Sequence, residues 1–312
     1  VIVRSLLHDG RLRVEAHPRL LPALARWLPF LPEDTPADPR GAAIRVLPGT
    51  TAPVAPDRPR TLHLTGMDAW VEGSVATLSG GPRVWGRIDL DAGIAELRIA
   101  EGAEAEDATS WIAYSAGTLS SALLLGRMGR ALAHAAAVAP VDGDAWLLVG
   151  DARAGKTTTT ANLVAAGWNY LSDDHVVLYR DEGGRVAAEG WPRAFHLDEG
   201  YDAGAPTGRR GSDDPRVRWP GSWRRTAPLR GMLFPRVDAD APTALEPAEP
   251  GGALAGLLRQ SPWLLADRGC APRVLRLLRD AALLPARTLR LGLDTYRDPS
   301  RLAAIVGPHP LA

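Results

Sequence analysis

The sequence predicts an α/β protein with a β-rich N-terminal region over residues 1–106 and a second region, 107–312, built on a strand–loop–helix unit. Three observations predict it. Short apolar runs bounded by turn residues fill positions 61–100, as hairpin strands do. An apolar strand, AWLLV, runs into a glycine-bounded loop and then a helical pattern. Hydrophobic residues make up 46% of 312, enough for a sizeable core and unlike a disordered chain.

The elements follow in order. Val1–Leu7 reads as a strand and Leu20–Leu28 as an apolar, helix-like stretch, followed by Pro/Asp-rich loop 29–39 and a proline-rich linker at 52–60. Thr61–Leu64, Ser74–Leu78, Val84–Leu90 and Ile94–Ile99 read as strands. Residues 117–132 carry apolar residues at helical spacing. Residues 133–149 then read as a hairpin turning at Asp142-Gly143-Asp144. A helix over 156–166 ends at Gly167, a natural C-cap. Strands follow at 168–172 and 176–180, joined across Asp181–Gly184 to what comes next. Residues 200–226, rich in Gly, Pro, Asp and Arg, read as a mobile loop. Two helices broken around Pro262 and Pro272, a strand at 286–293 and a short helix from Pro299 complete the chain.

Charge and cysteine content exclude several classes. Thirty-six basic residues balance thirty-six acidic ones, whereas a nucleic-acid binder normally carries a basic excess. No apolar run is long enough to span a bilayer, and the N-terminal residues lack a signal-peptide layout, so a cytoplasmic protein with no membrane partner is expected. Cys270 is the only cysteine, which rules out an internal disulfide and a cysteine-rich metal site; it reads as buried packing.

Lys156 is the only lysine among the 36 basic residues. It falls inside Gly150-Asp151-Ala152-Arg153-Ala154-Gly155-Lys156-Thr157, which matches G-x-x-x-x-G-K-[ST] at every specified position. Glycines let such a loop wrap its N–H groups round a phosphate, and the helix behind it adds partial positive charge. Lysine reaches the β- and γ-phosphates as a compact cation, a task the planar guanidinium performs poorly. In a chain that otherwise uses arginine, the exception sits where the motif demands it. Gly150 to Thr158 are therefore the candidate nucleotide-binding residues, with the Thr157 hydroxyl offered to Mg²⁺.

Asp173 and Asp174 lie 17 and 18 residues beyond Lys156, after the strand WNYLS. If that strand and AWLLV run parallel, their C-terminal ends share one edge of the sheet, and the acidic pair stands beside the phosphate loop. One carboxylate then holds Mg²⁺ and the other accepts a proton from an attacking hydroxyl. Asp173 and Asp174 are the candidates for these two roles, and residue types leave the order between them open. Pairing outward from the turn near Gly143 sets His134 opposite Gly150–Asp151, where it faces the phosphates or steadies the acidic pair. By strand alternation the His175 side chain should point elsewhere.

These residues resemble the HPr serine kinase family and its relatives encoded beside ribosomal-peptide biosynthetic genes. The resemblance covers residues 131–198, including Trp191-Pro192-Arg193, and is looser at 229–237 and 285–303. It implies a nucleotide-binding fold shared with phosphoenolpyruvate carboxykinase, with a mixed central sheet. It also implies ATP- and Mg²⁺-dependent transfer to a hydroxyl, usually serine, of a peptide or small metabolite, and relatives that often assemble as homo-oligomers. The chain departs from the family in having Thr157-Thr158 where Ser-Glu is usual, and in its N-terminal region. The alternative is a nucleotide-binding partner of a biosynthetic complex that transfers nothing. The donor nucleotide, the acceptor and the roles of Arg193, Arg209, Arg210, Arg224, Arg225, Trp219 and Trp223 stay open at this level.

Overall fold

The computed structural model describes residues 1–29, 36–199, 201–202, 211–249, 251–296 and 298–307. By contacts the chain forms two compact units, Val1–Ala131 with Pro262–Leu275, and Leu132–Ser261 with Arg276–Ala312. The sequence reading places the boundary at residue 106; the contacts place it at 131, and a later segment returns to the first unit.

The first unit is an eight-stranded mixed sheet with helices. Its strands are β1 (Ile2–Ser5), β2 (Leu12–Ala16), β3 (Ala42–Gly49), β4 (Leu62–Leu64), β5 (Met67–Glu72), β6 (Val75–Gly80), β7 (Val84–Asp89) and β8 (Ile94–Ala100), in spatial order β1-β2-β3-β8-β7-β6-β5-β4. β4 to β8 form an antiparallel meander, while β2–β3 and β3–β8 pair in parallel. The expected hairpins are there; β2, β3 and β5 join them. The apolar stretch near residue 20 is a 3₁₀ turn followed by the one-turn helix α1 (Leu21–Leu24). α2 (Asp107–Arg127) starts ten residues before the apolar periodicity suggests; its first turns mix Asp107, Thr109 and Ser110 with Trp111 and Ile112. It packs on the sheet and on Trp27.

The second unit is a nine-stranded mixed sheet. Its elements are β9 (Ala131–Ala133), β10 (Ala135–Ala139), β11 (Ala145–Val149), α3 (Lys156–Ala165), β12 (Asn169–Ser172), β13 (His175–Arg180), β14 (Val186–Trp191), α4 (Pro215–Arg218), β15 (Thr226–Val237), β16 (Ala244–Pro247), α5 (Gly252–Arg259), α6 (Ala271–Ala282), β17 (Ala286–Leu291), α7 (Leu293–Tyr296) and α8 (Pro299–Val306); α6 straddles the division between the units. Pro272 does not break α6; it occupies the first turn, where a missing N–H costs nothing.

The strand order β12-β10-β11-β15-β14-β13-β9 positions the site. β10 is antiparallel to both neighbours, so β11 and β12 run parallel with β10 between them. β15 lies parallel to β11, and β17 parallel to β15. Their C-terminal ends therefore share one edge, where ligands of α/β sheets bind. Beneath that edge Val138, Trp146, Leu148, Leu163, Tyr170, Phe195, Leu289 and Leu302 form a closed core.

The loop predicted over 200–226 is structured where it is described. α4 is capped by Asp214, whose side chain accepts from the Arg216 N–H. Trp219 meets Phe195 edge-on at 5.5 Å, and both Trp219 and Trp223 rest on the core. Arg209 and Arg210 lie outside the described residues.

Candidate active site at the phosphate loop

The loop Gly150–Gly155 leaves β11 and enters α3. Gly155 is its N-cap, at φ +101, and a Cβ there would stand 2.6 Å from the Leu291 Cδ1. Glycine is required twice over, for the left-handed backbone and for the close approach. Arg153, at φ +68, is the one non-glycine residue with positive φ among the described residues. Asp151, Ala152 and Arg153 are exposed, whereas Ala154, Thr157 and Thr158 are half-buried. The Ala154 N–H donates to the Asp151 carbonyl at 3.2 Å, closing the turn. The first N–H groups of α3 have no partner within the helix and face the loop end, the usual anion-binding arrangement.

Lys156 is 7% exposed and folds over its own loop, donating to the carbonyls of Gly150 at 2.6 Å and Asp151 at 3.1 Å. Burial lowers its pKa, while the charges of Asp173, Asp174 and Asp151 oppose that shift. The sequence-predicted lysine and acidic pair are thus electrostatic neighbours, as the parallel course of β11 and β12 requires.

The two aspartates sit in different chemistry. Asp173 is buried, with Thr157 of the loop as a polar neighbour, and its Oδ1 has no hydrogen-bond partner. Burial pushes its pKa well above the usual carboxylate range; the Asp174 charge adds to this, and Thr157, Lys156 and Arg193 oppose it. A buried carboxylate oxygen with no donor is costly unless a cation meets it. Asp174 is held by three cation-capable groups, His175 Nδ1 at 3.1 Å, His134 Nε2 at 3.4 Å, and the Arg193 guanidinium. Burial alone would raise its pKa, but His175, Arg193 and His134 together carry it well below the ordinary value.

His134 stands where the hairpin sets it. Ala135 pairs with Val149, so His134 is opposite Gly150. Its pKa falls to about 4, chiefly through burial; the Asp174 charge raises it, and Lys156, His175 and Arg193 lower it further. Its ring lies 6.1 Å from that of His175.

His175 corrects the alternation argument. Asp173 and Asp174 form a bend between β12 and β13 rather than extended strand, so the period-two rule does not carry across them. Ser172 fixes that bend, its hydroxyl lying 2.5 Å from the His175 carbonyl and 2.9 Å from the Trp191 carbonyl. Arg193 lies two residues past the end of β14 rather than on a strand, held by Tyr170, whose hydroxyl donates to the Arg193 carbonyl at 2.9 Å. Arg224 is committed to structure, bonding the Gly143 and Thr226 carbonyls at 2.7 and 3.0 Å, and Arg225 pairs with Glu189 at 3.3 Å. Cys270 is buried, its thiol pushed up to about 12, mainly by burial, which leaves it unreactive.

One site residue carried no sequence signal. Gln260, after α5, accepts the His134 N–H at 2.8 Å on its carbonyl and donates from Nε2 to Asp151 Oδ1 at 3.0 Å.

Among the described residues no group of three or more His, Cys, Asp or Glu could form an all-protein metal cage. Magnesium needs none, since it is commonly held by one or two protein oxygens with phosphates and waters. The Thr157 hydroxyl and the unpartnered Asp173 Oδ1 fit that requirement. Among the described residues no helix is long and apolar enough to cross a membrane.

The fold is that of a mixed α/β protein with two mixed sheets. No family model matches the chain, and no protein of curated function matches its sequence. A solved structure, the HPr(Ser) kinase/phosphatase from Coxiella burnetii, is similar over 56% of this chain and 99% of that one, with 11% identity and a TM-score of 0.29. That likeness is coarse.

Proposed function

We propose that the chain is an ATP- and Mg²⁺-dependent kinase that transfers the γ-phosphoryl group to a hydroxyl, serine on a peptide or a hydroxyl of a small metabolite. The observation that carries this reading is the buried, unpartnered Oδ1 of Asp173, with Thr157 of the glycine-rich loop as its polar neighbour. Lys156 and the α3 N-terminus grip the phosphates. Thr157 and Asp173 would hold the metal, which would supply charge neutralisation on the nucleotide phosphates. Asp174 stays ionised beside them and accepts the proton of the acceptor hydroxyl as its oxygen bonds to phosphorus and the bond to the β-phosphate oxygen breaks. Its depressed pKa makes it a weak base. A loose transition state asks for little base strength, so the carboxylate acts mainly by orienting the hydroxyl. His134, His175 and Arg193 fix the orientation of that carboxylate. The serine acceptor rests on the sequence resemblance.

The test uses two variants. Lys156→Ala should abolish ATP turnover and weaken nucleotide binding. Asp174→Asn should lower transfer to a serine acceptor by about a hundredfold or more while leaving nucleotide affinity largely intact. Unchanged product formation in both would contradict the scheme. Tight MgATP binding without turnover of any acceptor by the wild-type chain would favour a nucleotide-binding partner role.

A further inference from the structure

We propose that Gln260 is a positioning residue of the phosphate loop, tying the loop to the His134 bend between β9 and β10 and so setting the spacing between the phosphate grip and the Asp174 carboxylate. The inference rests on the kinase reading above and concerns the same site. Gln260 is 93% buried by its 7% exposure, an unusual place for a primary amide unless its polar atoms are used. Both ends are used at the site. Its carbonyl accepts from His134, the residue opposite Gly150, and its side-chain amide donates to the Asp151 carboxylate. Asp151 in turn offers its main-chain carbonyl to Lys156. A continuous run of bonds thus joins His134, Gln260, Asp151 and Lys156, crossing from the bend before β10 to the loop through a residue over a hundred positions away.

The geometry gives Asp151 a use that the motif does not specify. Its carboxylate is the handle by which the exposed first half of the loop is held against α5. Without that handle the loop keeps its turn, through the Ala154–Asp151 bond, but loses its fixed height above His134. A positioning role of this kind affects nucleotide affinity and transfer together, because a phosphate gripped at the wrong height is also wrongly aligned for attack.

The bond has a direction that can be reversed. Gln260→Glu sets a carboxylate against the Asp151 carboxylate. Adding Asp151→Asn restores a donor–acceptor pair with the roles exchanged. We expect Gln260→Glu to weaken MgATP binding and lower kcat, each by about tenfold, and the double variant Gln260→Glu/Asp151→Asn to recover most of both. The Gln260 carbonyl is main chain, so its bond to His134 survives in every variant, and thermal unfolding of each serves as the check on folding. Loss of stability without loss of affinity, or failure of Asp151→Asn to rescue a folded Gln260→Glu chain, would overturn the inference while the wild-type chain still binds MgATP. Failure of the wild-type chain itself to bind MgATP would overturn the kinase reading and this inference with it.

Discussion

Asp173 and Asp174 are neighbours in sequence and opposites in chemistry. One is buried with an unpartnered oxygen, and the other is clamped by two histidines and an arginine. That division is what the proposed order of roles rests on: the oxygen lacking a donor suits a cation, and the carboxylate held by Arg193 and the two histidines stays ionised. His134 gives a prediction in pH. Its pKa is about 4 in the folded chain against an ordinary 6.5, so the unfolded chain binds the proton first on acidification. The stability attached to this group is complete above pH 6.5 and is lost as pH falls through about 4. The melting temperature of the wild-type chain should therefore fall more between those values than that of His134→Gln; parallel curves would contradict the assignment. Arg153 gives a second. A left-handed backbone costs a non-glycine residue about 1–2 kcal/mol, offset by glycine's extra entropy loss of about 0.5–1 kcal/mol. Arg153→Gly should raise unfolding free energy by about 0.5–1 kcal/mol in denaturant titration, and a loss would show that the arginine side chain stabilises the loop.

Among the elements, β14 decides whether Arg193 reaches Asp174. It crosses close to β12 at Gly190, where a Cβ would lie 2.0 Å from the Leu171 carbonyl oxygen. Backbone cannot yield as a flexible side chain does, so Gly190→Ala should destabilise the chain by about 1–3 kcal/mol and separate Arg193 from Asp174. Denaturant unfolding with transfer kinetics checks this, and an unchanged midpoint would contradict the close crossing. The hairpin of β10 and β11 behaves differently, because its turn at Gly143 was readable and its register follows from counting outward, which is how His134 could be placed from sequence. Such counting stops at irregular backbone. It failed at the Asp173–Asp174 bend, where His175 turns toward the carboxylate. β3, with two alanines, an arginine and Pro48 in eight residues, has no clean alternation to read. Gln260 was invisible for a different reason, since its partners are brought to it by tertiary structure alone.

The whole molecule is two units, and neither is continuous in sequence. Segment returns of this kind are set by packing rather than by local pattern, and a linear reading of a motif such as residues 150–157 carries no sign of them. The discontinuity has a consequence for the site. β17 pairs with β15 from Met232 to Val237, its Leu291 lies against Gly155, and α8 adds Leu302 and Val306 to the core beneath the loop. A chain ended after residue 284 should lose its near-ultraviolet circular dichroism and its nucleotide binding together; retention of both would show that β17 and α8 are dispensable. The central claim is that Lys156, Thr157 and Asp173 form a metal-dependent triphosphate site. Isothermal titration of the wild-type chain with ATP, with and without Mg²⁺, tests it most directly. The account predicts saturable binding that is strengthened by Mg²⁺ and lost in Lys156→Ala; no binding, or binding indifferent to both the metal and the lysine, would contradict it.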